Sequence, residues 1–202
     1  MIEYLGWPFL LKGTDESGAA FDPHSTAYRY LLWRRIPDLP PDRRIMFIGL
    51  NPSTADETQD DPTIRRCRDF ATQWCFGMYI MANLFAYRST DPWNLYNPTI
   101  AAIGSHNDRA LLMAADLSEI IVCAWSRHAT YLNRDIHVVS LLSAAATSNK
   151  LRCFRLNNDG TAVHPLYLKK TSWLVPYAGR GSAAWREPAS KPRHRTSRSA
   201  AT

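Results

Sequence analysis

What most constrains the fold of this chain is a series of short apolar runs, each broken off by a small or polar residue. The clearest is Ile45-Met46-Phe47-Ile48, which stops at Gly49 and delivers Leu50-Asn51-Pro52-Ser53 into a loop. Residues 78–85 (MYIMANLF), 119–125 (EIIVCAW) and 151–156 repeat the pattern. Apolar runs of this length without alternation suit strands buried on both faces. Between the first two runs, Asp61-Pro62-Thr63 reads as a helix start, with Asp as N-cap and Pro at the first helical position. Ile64, Cys67, Phe70, Ala71 and Trp74 then recur at spacings of three and four and give that helix an apolar face. Residues 106–116 read as a second helix, and Val138, Val139, Leu141 and Leu142 place a third within 129–146. Strands alternating with helices predict parallel pairing through right-handed crossovers. The expected architecture is a three-layer α/β/α sandwich with a central, mainly parallel four-stranded sheet. Residues 26–35 (TAYRYLLWRR) are expected to form a short amphipathic helix ahead of it, after an irregular lead-in over residues 1–25.

A chain of 202 residues suits one domain with a sizeable core, here expected over residues 1–178. Residues 179–202 lack apolar periodicity and read as a basic, disordered tail. The formal net charge is +6, but the stretch from Arg180 onward holds six Lys/Arg and one Glu. The first 179 residues thus carry 18 basic and 17 acidic side chains, so basicity belongs to the tail and not to the body. Such a tail can supply salt-sensitive phosphate contacts or act only as a solubilising segment. No stretch approaches the roughly 18 uninterrupted apolar residues of a membrane helix, so no membrane partner is expected. The N-terminus lacks a basic start followed by an apolar run, which predicts a cytoplasmic protein. Cys67, Cys75, Cys123 and Cys153 form no C-x-x-C pair and are poorly spaced as ligands, so neither a metal nor another cofactor is expected.

The chemistry-bearing residues lie where the runs end, as they do at the carboxyl edge of open α/β sheets. Pro52 fixes the backbone just after Asn51 and holds that polar side chain at a strand end. Gly49-Leu50-Asn51-Pro52-Ser53 resembles the first motif of the uracil-DNA glycosylase superfamily, in the Gly-Ile-Asn-Pro-Gly form of its mismatch-specific branch. Ala82-Asn83-Leu84 resembles the strand-end Asn by which several branches recognise a pyrimidine edge. His164-Pro165-Leu166-Tyr167-Leu168 is similar to the second motif, His-Pro-Ser-x-Leu, and residues 122–126, ending Ala-Trp-Ser, look like a third strand ending Leu-Trp-Gly. The similarity spans roughly residues 44–170. Ser53 stands in place of glycine and Leu166 in place of serine, and leucine cannot hydrogen-bond a phosphate. More narrowly, the block from Gly49 through Leu95 resembles an uncharacterised bacterial and phage family known only as a domain of unknown function.

The broader resemblance implies a uracil-DNA glycosylase-like fold and hydrolysis of the N-glycosidic bond of an aberrant or modified base, as in base-excision DNA repair. Such a reaction needs a group that positions water beneath C1′ and a donor for the negative charge growing on the departing base. Asn51 suits the first role through its carbonyl; it is too weak a base to deprotonate water. His164 suits the second, and Asn83 offers a donor and an acceptor to a base edge. The implied substrate-binding set adds Gly49, Leu50, Pro52, Ser53, Pro165 and the aromatic candidates Phe85, Tyr87 and Tyr167; Arg88, Lys169 and Lys170 are the phosphate-binding candidates. Asp56, Asp60 and Asp61 read as a helix N-cap with solvated neighbours ahead of a cation site. Single-stranded or duplex DNA is the expected partner of a monomer. Two alternatives stay open: hydrolysis of a free nucleoside or nucleotide, and a catalytically silent nucleotide- or nucleic-acid-binding protein.

Overall fold

A computed structural model describes residues 9–180 and 182. In chain order its elements are β1 (Leu10–Gly13), β2 (Ser17–Phe21), β3 (Arg29–Arg35), β4 (Arg44–Gly49), α1 (Pro62–Gln73), β5 (Met78–Asn83), α2 (Asn107–Asp116), β6 (Ile120–Cys123), α3 (Arg134–Ala144), β7 (Leu151–Cys153) and β8 (Val175–Pro176), with short 3-10 turns between some of them. The strands form one sheet in the order β1-β2-β3-β5-β4-β6-β7-β8.

This corrects the four-stranded sandwich expected from the apolar runs. The sheet has eight strands among the described residues and is mixed. Pairs β1–β2, β2–β3, β3–β5 and β7–β8 are antiparallel, whereas β4 is parallel to β5 and β6, and β6 to β7. The largest departure is residues 26–35, predicted helical. Leu31 and Trp33 pack into the cluster on one face of the sheet and Leu32 into the cluster on the other, the alternation of a strand, while Tyr30, skipped by a register shift against β2, joins the cluster of Leu31 and Trp33. Four consecutive large apolar side chains exceed one helix stripe, but a strand can bury both of its faces. The lead-in is likewise a hairpin, β1 and β2, paired onto β3. Gly18 permits that pairing, because a Cβ there would stand 2.2 Å from the Trp33 ring.

Elsewhere local signals and structure agree. Asp61 caps α1 by accepting the Ile64 N–H at 2.9 Å, and Pro62 occupies the first turn. Ile64, Cys67, Phe70 and Ala71 are buried, with Phe70 4.6 Å from Phe154 between ring centres. The opposite cluster takes the apolar faces of α2 and α3, including Leu111, Ala114, Val138 and Leu142. Among the described residues no helix is long and apolar enough to cross a membrane. Near the start of the tail Arg180 is anchored, donating from Nε and Nη2 to Asp135 at 2.7 and 3.0 Å. Residue 181 and residues 183–202 of the predicted disordered tail lie outside the described residues.

The connectivity matters for function. From β4 the chain crosses through α1 to β5 on one side, then returns through α2 past β4 to β6 on the other. Such a reversal opens a crevice beyond the carboxyl ends of the strands, where open α/β sheets bind ligands.

Candidate functional site

That crevice is a cavity of about 370 Å³, within the range of small-molecule sites. Three strand ends build it: Gly49, Leu50 and Asn51 after β4, Asn83 at the end of β5, and Trp125 and Ser126 after β6. Asp61 and Thr63 from the start of α1, Arg29 from β3, and His164 and Tyr167 complete the wall. A larger groove of about 570 Å³ beside α3 and β8 has, among the described residues, Arg152 as its one charged lining residue, so the convergent chemistry belongs to the strand-end cavity.

Asn51 is tied down by its amide nitrogen. Nδ2 donates to the carbonyls of Ser89 at 2.8 Å, Pro52 at 3.1 Å and Tyr87 at 3.5 Å. With all its donors committed to carbonyls, the group presents its Oδ1 as an acceptor. His164 is also set by a hydrogen bond. Its Nδ1 accepts the Leu166 N–H at 3.3 Å, so in the neutral ring the proton sits on Nε2. Burial lowers the pKa of His164 from 6.5, against the opposing pull of Asp61, which favours that neutral donor.

Asn83 is 4% exposed, and its Nδ2 has no hydrogen-bond partner. Its Oδ1 lies against Gly49, the residue it pairs with across β4 and β5. Trp125 is fully buried, and its Nε1 also lacks a partner. Two buried donors without acceptors, on two residues that line one cavity, are unusual, because each costs about 1–3 kcal/mol until something accepts from it. Ser126 holds φ +67° and ψ −168° as the chain leaves β6, a conformation that belongs almost entirely to glycine and so marks a strained, over-determined turn.

The structure thus brings Asn51, Asn83 and His164 together with Gly49, Leu50, Ser53 and Tyr167. Other candidates lie elsewhere. Phe85 is in the core beside Tyr131, and Tyr87 packs on Tyr28, so neither ring lines the cavity. Pro52 and Pro165 are buried supports of their turns. Arg88 lies over the Phe21 ring and donates to the carbonyls of Thr26 and Ser53. Lys170 lines a separate shallow groove with Asp69, and the exposed Lys169 lines neither. The sequence reading missed Arg29, Trp125 and His128 as lining residues. Trp125 was within reach, since it ends an apolar run; Arg29 was hidden by the helical reading of its strand. Among the described residues no three His, Cys, Asp or Glu side chains form a metal-ligand cluster.

A family model described as "Protein of unknown function (DUF1643)" matches residues 29–166. The match starts at Arg29 and ends two residues after His164, and so contains every residue named above as lining the strand-end cavity except Tyr167. No curated protein and no solved structure matches the chain.

Proposed function

The chain belongs to the DUF1643 family of unknown function, and from the cavity it builds we propose that it hydrolyses the N-glycosidic bond of an aberrant or modified base in nucleic acid. One observation carries the reading: the buried, unpartnered Nδ2 of Asn83 lines the same cavity as the Asn51 acceptor and the His164 donor. Trp125 Nε1 adds a second donor for a ring carbonyl or ring nitrogen. In this reading Asn51 Oδ1 holds a water against C1′ as positive charge develops on the sugar. His164 Nε2–H donates to the base oxygen that becomes negative, a role a neutral imidazole fills without giving up its proton. The C1′–N bond breaks with its electron pair leaving on the base, the water oxygen bonds to C1′, and the proton that water gives up passes through solvent to the departed base anion. The likeness of Gly49-Leu50-Asn51-Pro52 and His164-Pro165 to the uracil-DNA glycosylase motifs supports the same division of roles.

Base release from oligonucleotides carrying uracil, thymine mismatches, hypoxanthine or hydroxymethyluracil tests the proposal. Loss of turnover in His164→Ala and Asn83→Ala, with the fold intact by circular dichroism, is the expected result. Binding of bases or nucleotides without any release would replace hydrolysis with the silent-binder reading. The absence of binding and of release would sink both.

A further inference from the structure

Two arginines on β3 are buried, and they are not treated alike. Arg34, 8% exposed, donates from Nε to Asp60 at 3.0 Å and spends its terminal nitrogens on the carbonyls of Gly18, Trp33 and Asp56. Arg29 is 2% exposed and lines the cavity, yet only its Nη1 is used, on the carbonyl of Ala55. Its Nε is buried without a partner, its Nη2 makes no hydrogen bond, and no carboxylate lies within salt-bridge distance among the described residues. Burial lowers its pKa to about 10, with Asp61 and Asp56 pulling the other way and Arg88 and Arg34 adding to the effect. A buried charge of this kind is costly unless an anion completes it.

We infer that Arg29 is the anion-binding residue of the cavity and that the ligand brings it a terminal phosphate, as a nucleoside 5′-monophosphate would. This rests on the base-binding part of the reading above and moves its substrate from a base within a nucleic-acid strand to a free nucleotide, the alternative that the sequence left open. A planar guanidinium with unused donors matches a phosphate oxygen pair. A terminal monoester can end beside a side chain that is 2% exposed, whereas an internal phosphodiester must carry the strand out in both directions. Asp61 is the negative group of the same wall; its Oδ1 is held by the Ile64 N–H, and its charge opposes a bound phosphate.

Titration calorimetry of the full chain with the 2′-deoxynucleosides of adenine, guanine, cytosine, thymine and uracil, and with their 5′-monophosphates, tests this. For the preferred base, the monophosphate binds about tenfold to a hundredfold tighter than the nucleoside. Arg29→Met removes that gain and Arg29→Lys retains part of it. Asp61→Asn, which keeps a good helix cap, enlarges it. Should Arg29→Met not fold, Arg29→Lys and Asp61→Asn decide the matter. Equal affinity of nucleoside and monophosphate, or a gain that Arg29→Lys and Asp61→Asn leave unchanged, overturns the proposal. Arg29-dependent binding of a single-stranded oligonucleotide with an internal copy of the base, without such binding of the monophosphate, overturns the terminal-phosphate assignment. Arg29-dependent monophosphate binding with no base release from any substrate supports the anion site while refuting hydrolysis.

Discussion

Replacing Gly49 by Ala separates the two things the end of β4 does. A Cβ at this position would stand 2.8 Å from Asn83 Oδ1, while the next nearest atoms are 3.9 Å away. An ordinary carbon–oxygen contact is roughly 3.3–3.6 Å, so the Asn83 amide must shift by about half an ångström or rotate. Nothing in the backbone obstructs the new methyl, and Gly49 is not among the residues with positive φ. Forcing the amide off its rotamer costs about 0.5–1.5 kcal/mol, and removing a strand glycine returns about 0.5–1 kcal/mol. The net change lies between a gain of about 0.5 and a loss of about 1 kcal/mol, so the thermal midpoint falls by at most about 4 °C for a domain of this size. Ligand recognition fares worse, because Asn83 Nδ2 is the buried donor offered to the base edge. A misplaced hydrogen bond there costs about tenfold or more in affinity or turnover. Thermal denaturation alongside base release or nucleotide binding reads both effects. A Gly49→Ala protein that keeps wild-type recognition would refute the role given to Asn83. One that loses more than about 10 °C would show that Gly49 serves backbone packing and not the amide.

Asn51 faces three carbonyl oxygens, so Asn51→Ala should lose about 1–3 kcal/mol, and Asn51→Asp should lose more, since a carboxylate has no donors for them; equal or reversed losses in chemical denaturation would contradict this geometry. His164 has a folded pKa below 6.5 because it is buried. The unfolded chain therefore takes up the proton first, stability falls as pH drops from about 6.5 toward the folded value, and His164→Gln should flatten that slope. An identical pH–stability curve for the variant would argue against it. Cys75 follows α1 at φ +58°, with its own N–H bonded to Thr72 and that of Phe76 to Ala71. This left-handed helix terminus favours glycine, so Cys75→Gly should raise the thermal midpoint by about 2–4 °C; a decrease would contradict the reading.

The sequence by itself determined what is local. The Asp61-Pro62 start of α1, its Ile64–Cys67–Phe70–Ala71 face and the apolar runs that became β4, β5, β6 and β7 follow from periodicity and capping chemistry within a few residues. The strand-end polar groups were legible for the same reason. Asn83 ends β5, Asn51 follows two residues beyond the end of the adjacent parallel strand β4, and the Gly49–Asn83 register brings the two strand ends together. Tertiary structure decided the rest. Residues 29–35 become a strand because the β5 edge accepts them and buries both of their faces, which no local period records. Phe85 and Tyr87 leave the site because the chain turns after Asn83 and carries their rings into other packing, whereas Trp125 stays in it at the end of β6. Arg29 shows the difference most directly. In sequence it is one more arginine in a basic, aromatic stretch; in the fold it is a buried cation whose missing counter-charge is defined only by elements far along the chain. Backbone periodicity is a property of neighbours, but an unsatisfied charge is a property of everything packed around it.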